Sequence, residues 1–341
     1  MRERKKRGEG MRKSFGLFCL PVLLLLSSCS RPASNPGVRV QEQEGEVFVA
    51  GVSIYDFQDD FMELYREELK KYLEESYGAK IHLMDGQESE DIQKQQIKEF
   101  LETAPDVMII NPVSAKIIGE LADMCSEREI PAVFVNVEPY EEEIERWKKE
   151  KISACYVGTD IDQAGTYQGE IILSMPDKGD LNRDGRISCI MITGDENNPE
   201  AGYRREYAEK AVREGGLQVE VLFSRPGNWQ EKEGEQLAAE ALQQYGERAE
   251  VIFCGNDAMA IGAERAIKKA GRTVGKDIYL VGVDALREAV AMVRDGRMSG
   301  TVLNDYVSQA HMAGDAAMGM AEGERQEYVI RTEYVKIIMG E

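Results

Sequence analysis

The nine-residue segment DLNRDGRIS, residues 180–188, carries the oxygen side chains of a calcium loop. Asp180, Asn182 and Asp184 alternate along it, and Gly185 follows where such a loop needs a sharp turn. An EF-hand would place a bidentate glutamate at the twelfth position, which is Met191, and the sequence ISCIMI there is typical of a strand. Two interpretations remain open: an Asn/Asp/Gly turn without metal, or a calcium site whose last carboxylate comes from elsewhere.

A second group of polar and aromatic residues follows the ends of strand-like segments. Ligands of open parallel sheets bind outside the carboxyl ends of the strands, so these residues are candidates for one pocket. Each Asp or Asn among them has an alternative role as the N-cap of the next helix, and the aromatic residues could belong to the core. The candidates are Asp59, Phe61, Asn136, Asn198, Glu200, Arg204, Trp229, Asn256, Asp284 and Asn304.

The sequence offers little that would support catalysis. His82 and His311 are the only histidines, and neither follows a predicted strand. No residue pattern pairs a nucleophile with a base. Glu200 and Asp284 could be imagined as a glycosidase pair, but sequence spacing cannot give their separation. We therefore expect a binding protein, not an enzyme.

From Val47 onward, short apolar strands alternate with amphipathic helices. This alternation predicts an α/β fold with parallel sheets that are covered on both faces. About ten strands are too many for one comfortable domain, so we predict two similar lobes. The chain divides between them near Gly158–Asp160.

Residues 1–28 have the order of a secretory signal: a basic start, an apolar stretch and small residues. The sequence LSSC resembles a bacterial lipobox, which would make Cys29 the lipidated first residue; the alternative is an ordinary signal peptide with a chance cysteine. Residues 29–46 are Pro/Gly-rich and polar, and we interpret them as a flexible linker.

The charge balance of the chain argues against polyanionic partners. The whole chain has a formal net charge of −20, and residues 1–28 contribute +5, so the rest carries −25. Such a chain is not expected to bind nucleic acid or the face of an anionic membrane.

Four cysteines remain after Cys29, and each lies within or beside an apolar segment. Buried free thiols are the favoured interpretation, although an exported protein could pair them. They are Cys125, Cys155, Cys189 and Cys254.

The ordered motifs are similar to those of the periplasmic galactose/glucose-binding proteins of bacterial sugar ABC transporters. The segments CYVGTD, DLNRDGRIS, VIFCGNDAMAIGA and VGVDALREAVAMVRDGRMSGTVLND carry this resemblance, which extends from residue 48 to about 338. It implies two Rossmann-like lobes joined by a three-crossing hinge, with crossings near Gly158–Asp160, Asn304–Asp305 and Arg331–Tyr334. By these crossings the N-terminal lobe comprises residues 47–158 and 305–331, and the C-terminal lobe comprises residues 159–304 and 332–341.

The resemblance also implies the roles of the candidate residues. Phe61 and Trp229 match the two rings that enclose a sugar. Asn198 and Glu200 stand where the family typically has His and Asp. The other family sugar contacts are matched by Asp59, Asn136, Arg204, Asn256, Asp284 and Asn304.

In this family a structural calcium is held by a helix–loop–strand whose bidentate glutamate precedes a distant strand. By this resemblance, Glu250 is the carboxylate that the loop lacks. The implied ligands are Asp180, Asn182, Asp184, the Arg186 carbonyl, Ser188 and Glu250.

The function implied is capture of a monosaccharide, a hexose of the glucose/galactose type, for delivery to an ABC permease. The alternative is a sugar sensor that docks on a chemoreceptor or a membrane sensor kinase, which would use the same cleft. We expect a monomer that is exported and lipid-anchored on the outer face of the bacterial cytoplasmic membrane.

Overall fold

The computed structural model describes residues 47–196 and 198–339. The predicted signal segment 1–28, the linker 29–46 and Cys29 lie outside the described residues. Within them, two six-stranded sheets are each flanked by helices, and every pair of neighbouring strands is parallel except β10 and β12. The predicted fold class, two α/β lobes with mostly parallel sheets, is confirmed.

The first lobe has the strand order β2-β1-β3-β4-β5-β11, and all of its strand pairs are parallel. Its elements are β1 (Val49–Ile54), α1 (Asp60–Tyr77), β2 (Lys80–Asp85), α2 (Glu90–Leu101), β3 (Val107–Ile110), α3 (Ile118–Ser126), β4 (Ala132–Val135), α4 (Glu141–Glu150), β5 (Ala154–Thr159), α10 (Tyr306–Ala321) and β11 (Val329–Thr332).

The second lobe has the strand order β7-β6-β8-β9-β10-β12, in which β12 runs antiparallel to β10. Its elements are α5 (Gln163–Leu173), β6 (Arg186–Thr193), α6 (Pro199–Glu214), β7 (Gln218–Pro226), α7 (Glu231–Tyr245), β8 (Val251–Cys254), α8 (Asp257–Lys269), β9 (Tyr279–Val281), α9 (Arg287–Arg294), β10 (Gly300–Leu303) and β12 (Val335–Ile338).

The chain passes between the sheets three times, from β5 to α5, from β10 to α10 and from β11 to β12. The first and third crossings are linked, since Arg331 Nη1 donates to the Thr159 carbonyl at 2.6 Å and the Tyr334 N–H donates to Gln163 Oε1 at 3.0 Å. β5 and β11 end at Thr159 and Thr332, each one residue beyond the predicted lobe boundaries.

Local sequence explains why the elements form. In α1 the buried residues recur at helical spacing, and the helix begins at an Asp N-cap and ends at Gly78, which has a φ of 63°. Strand β3 is buried on both faces and accordingly reads as an unbroken apolar run. The four cysteines of the described chain are free and buried, as their apolar surroundings predict.

In residues 47–196 and 198–339, no helix combines the length and the apolar character that a membrane crossing requires.

Candidate ligand-binding site

A narrow pocket lies where the carboxyl ends of strands from both sheets meet. It brings together nine of the ten sequence-predicted residues and adds Tyr55 and Met62, and the empty space between its walls and at its mouth is about 320 Å³. We call it the inner pocket. The predicted residues that line it are Asp59, Phe61, Asn136, Asn198, Glu200, Arg204, Trp229, Asp284 and Asn304.

Two aromatic rings reach the inner pocket from opposite lobes. Phe61 is buried at the start of α1, whereas Trp229 lies on the turn before α7. Asn228 and Trp229 both have left-handed backbone, with φ of 50° and 64°. Such strain persists where the surroundings enforce it, and here it places the indole against the Gly194 backbone. A Cβ on Gly194 would lie 1.9 Å from Trp229 Cζ2, so only glycine leaves room for the ring.

Asp59 has two roles in the pocket. Its Oδ1 accepts the Met62 N–H at 2.7 Å and so caps α1, while its Oδ2 accepts the Tyr55 hydroxyl at 2.7 Å. Burial raises the pKa of Asp59, and these two hydrogen bonds only partly oppose the rise. The N-cap alternative and the binding role are therefore compatible, because each carboxylate oxygen has further lone pairs.

Of the described residues that line the inner pocket, Arg204 alone has a basic side chain. Its Nη2 pairs with Glu200 Oε2 at 2.9 Å, and its Nη1 donates to the Gly255 carbonyl at 2.7 Å. The guanidinium carbon lies 5.4 Å from the centre of the Trp229 ring. Among the described residues its buried Nε has no hydrogen-bond partner, which leaves one donor for a ligand oxygen.

Asp284 lies in the segment that follows β9, between β9 and α9, and is only 6 % exposed. Asn304 Nδ2 donates to its Oδ1 at 3.2 Å, and Gln309 Nε2 in turn fixes Asn304 Oδ1 at 2.6 Å. Burial raises the pKa of Asp284 to about 7, although the Arg204 charge opposes the rise. Three carboxyl groups, those of Asp59, Glu200 and Asp284, thus line the same pocket as one guanidinium, and this arrangement suits hydroxyl donors.

The asparagines differ in their access to the pocket. Asn136 lines it with left-handed backbone at a φ of 63°, and Asn198 caps α6 through the Glu200 N–H at 3.0 Å. Asn256 does not line it: its Oδ1 accepts the Met259 N–H at 3.0 Å, and its Nδ2 donates to the Trp229 carbonyl at 3.0 Å. Asn256 therefore holds the turn that carries the indole.

The prediction from sequence missed residues that the tertiary structure brings to the site. Tyr55 follows β1 directly, so the strand-end rule could have found it. Tyr334 could not be found in this way, because its hydroxyl accepts from Arg204 Nη2 at 3.3 Å only after the third crossing. Neither histidine lines the pocket: His82 stacks on Phe100 and His311 bonds to Glu68.

The calcium-like loop and Glu250 meet, although they are distant in sequence. Glu250 Oε1 accepts the Asn182 N–H at 3.0 Å, and its Oε2 accepts the Ser188 N–H at 2.9 Å. Asp180 accepts the N–H groups of Asp184 and Gly185 at 3.0 and 2.9 Å.

In this arrangement the carboxylates of the loop point at backbone N–H groups. Across the described chain no three His, Cys, Asp or Glu side chains form a ready metal cage. Burial raises the pKa of Glu250, and the charges of Asp180 and Asp184 raise it further. Arg186 Nε lies 3.6 Å from Asp184 Oδ2 and offsets part of the negative charge. The donor set consists of oxygens only and fits calcium, once the side chains turn from the N–H groups to an ion.

Comparison with known proteins agrees with this architecture. Residues 50–325 match the model of the periplasmic binding protein domain. The chain belongs to the periplasmic binding protein family. The resemblance read from the sequence is thereby confirmed, and the family is one of extracytoplasmic solute-binding proteins, here of the sugar-binding branch that serves ABC transporters.

Individual relatives of this periplasmic binding protein are named for different ligands. It is 31% identical over 300 residues to the D-galactose/methyl-galactoside binding periplasmic protein of Haemophilus influenzae, covering 84% of this chain and 88% of that one. It is 27% identical over 278 residues to a putative rhizopine-binding protein of Rhizobium meliloti, covering 81% and 85%.

Solved structures share the fold. The Caulobacter myo-inositol binding protein superposes with a TM-score of 0.76 at 21% identity, covering 87% of this chain and 95% of that one. An Actinobacillus succinogenes solute-binding protein with bound D-allose gives a TM-score of 0.75 at 16% identity, covering 85% and 97%. At these identities the likeness concerns the fold alone.

Proposed function

We propose that the protein captures a hexose of the glucose/galactose type in the inner pocket and delivers it to the permease of an ABC importer. The observation that carries the proposal is the joint geometry of Phe61, Trp229 and Arg204. Two rings from opposite lobes suit the apolar C–H faces of a pyranose, and the guanidinium with its unpaired Nε lies beside the indole.

The hydrogen-bonding groups of the pocket favour a polyhydroxylated ring over an apolar or anionic ligand. The carboxyl groups of Asp59, Glu200 and Asp284 accept hydroxyl protons, while the amides of Asn136 and Asn304 can both donate and accept. An anionic ligand would meet three carboxyl groups and a single guanidinium that is already paired with Glu200. The relative with 31% identity binds galactose by name, which supports the hexose assignment.

Titration calorimetry with glucose, galactose, D-allose, ribose and myo-inositol tests the ligand class. We expect micromolar binding of glucose or galactose, which for a ligand of about a dozen heavy atoms means roughly −0.7 kcal/mol per atom and lies within the range of small ligands. Preference for ribose or myo-inositol, or binding of none of the five, would contradict the hexose assignment.

We propose that calcium occupies the loop of residues 180–188 together with Glu250. The ligands would be the side chains of Asp180, Asn182, Asp184, Ser188 and Glu250 and the Arg186 carbonyl. Such an ion would join the segment before β6 to the start of β8. It would add stability to the second lobe without contacting the sugar. Metal analysis of purified protein tests this assignment: about one calcium per chain is expected, and a metal-free protein would contradict it.

We also propose that Cys29 carries the lipid anchor, because the charged, apolar and small residues before it end in LSSC. Mass spectrometry of the mature N-terminus is the test. A lipidated Cys29 is expected, and an unmodified N-terminus at another residue would contradict the anchor.

A further inference from the structure

A second cavity adjoins the inner pocket. Its empty space is about 910 Å³, it is open to solvent on one side, and it shares two wall residues with the inner pocket, Tyr55 and Trp229. These two residues therefore form a common wall of the two spaces. We call the second space the outer cavity. A hexose bound in the inner pocket would not reach into the outer cavity, so a ligand that fills the outer cavity must be longer than one hexose.

The wall on the first lobe is built by two loops that are tied together. The Glu88 N–H donates to the Tyr55 carbonyl at 2.9 Å, and the Gly86 N–H donates to the Ile54 carbonyl at 2.7 Å. Gln87 and Glu88 both have left-handed backbone, with φ of 53° and 55°. Consecutive strained residues without glycine indicate that the fold enforces this shape.

The wall on the second lobe is equally constrained. Asn228 and Trp229 form the other strained turn. Two hydrogen bonds hold this turn: Asn256 Nδ2 donates to the Trp229 carbonyl at 3.0 Å, and the Gly227 N–H donates to the Thr193 carbonyl at 2.8 Å. The exposed amide side chains of Asn228 and Gln230 line the cavity and make no hydrogen bond with the described residues. They are available as paired donors and acceptors for hydroxyl groups.

Charge narrows the class of ligand. Glu88 and Glu90 of the first lobe and Asp195 of the second line the outer cavity, and no Lys or Arg is among its described lining residues. Glu90 is held by the Ser114 hydroxyl at 2.6 Å. A second unit that carries a carboxylate or phosphate would be repelled by Glu88 and Glu90 of the first lobe, whereas a neutral polyol would not.

We propose that the physiological ligand is a hexoside: its hexose occupies the inner pocket, and a neutral, polyhydroxylated second unit extends past Tyr55 and Trp229 into the outer cavity. This inference rests on the proposed function of the inner pocket. The rings of Tyr55 and Trp229 offer apolar surface at the junction, and Asn228 and Gln230 offer hydrogen bonds beyond it.

The test compares disaccharide derivatives that differ only in the charge of the second unit. Maltitol and maltobionate, or lactitol and lactobionate, join the same hexose to a neutral alditol or to its aldonate; α- and β-linked pairs are both included. With the whole chain in calorimetry, we expect the alditol of one linkage to bind at least about tenfold more tightly than the free hexose. The aldonate should bind at least about tenfold more weakly than the alditol.

Two variants locate the second unit. Gln230→Trp fills the outer cavity without removing a hydrogen bond, and it should abolish the gain from the alditol while free hexose binds unchanged. Gln243→Trp, an exposed glutamine near the other end of α7, is the matched control and should change neither. Glu88→Gln should narrow the gap between alditol and aldonate, and Glu214→Gln on the surface of α6 should not.

The outcomes separate this inference from the proposed function. If free hexose binds but no alditol binds more tightly, or Gln230→Trp leaves the gain intact, the outer cavity is not a subsite and the hexose site stands. If alditol and aldonate bind equally, the neutral class is wrong. If neither hexose nor hexoside binds, the proposed function itself fails.

Discussion

Lowering the pH should weaken ligand binding through Asp284. The carboxyl is buried in the inner pocket, and burial raises its pKa to about 7 against the opposing charge of Arg204. Near neutral pH the ligand-free protein is therefore a mixture of protonated and ionised Asp284. Sugar hydroxyls donate to the ionised form, so a ligand binds that form preferentially.

The size of the effect follows from the pKa. Below pH 7 each pH unit lowers the ionised fraction about tenfold, so affinity should fall about tenfold per unit and by roughly 30-fold between pH 8 and 5.5. Above about pH 8 affinity should be constant. The pKa values of Asp59 and Glu200 are also raised by burial, and their protonation acts in the same direction.

The raised pKa of Asp284 has the opposite effect on the stability of the ligand-free protein, because lowering the pH increases its free energy of unfolding. The folded pKa of Asp284 exceeds the ordinary value of 3.8, so the folded state binds more protons between these two pH values. The stabilisation that Asp284 gives the folded state is fully present below about pH 4 and is lost as the pH rises through 7. The difference of about three pH units corresponds to about 4 kcal/mol of unfolding free energy.

Calorimetry between pH 5.5 and 8.5 measures the affinity, and two buffers with different ionisation enthalpies count the protons released. About one proton per ligand should be released at pH 6. Asp284→Asn should remove most of the slope and, at pH 8, weaken binding roughly 10- to 150-fold by losing a charge-assisted hydrogen bond. An affinity that stays constant from pH 8 to 5.5, or an unchanged slope in Asp284→Asn, would refute the reasoning.

Further predictions concern the indole and the calcium loop. Trp229→Ala should cost about 2–3 kcal/mol of ligand binding, or roughly 30- to 150-fold in affinity by calorimetry, and an unchanged affinity would remove the ring from the site. Gly194→Ala should lower affinity to a similar extent because the added Cβ displaces that ring, and its failure to do so would show that the turn can shift freely. Glu250→Gln should lower the melting temperature in calcium buffer to the value that chelator gives the wild type, with hexose affinity unchanged. Glu247→Gln, at an exposed neighbouring residue, is the control. Equal melting temperatures of the two variants would contradict the calcium site.

Much of the architecture could be predicted from the sequence because local patterns determine it. The unbroken apolar run of β3 and the helical spacing of buried residues in α1 follow from periods of burial that hold in any parallel α/β sheet. The strand-end rule brought Asp59, Asn136 and Asp284 to one candidate pocket, because parallel strands end at one edge of their sheet.

Other features were decided by tertiary structure. Sequence alone could not separate Asn256, which supports the Trp229 turn, from the asparagines that line the pocket, since both kinds follow a strand and can cap a helix. Nor could it find the outer cavity or the contact of Arg204 with Tyr334, because each depends on segments that the three crossings bring together. The carboxylate missing from residues 180–188 was suggested only by resemblance. Glu250 reaches that loop because β6 and β8 are paired in the sheet, and the local sequence of neither strand predicts which distant strand it pairs with.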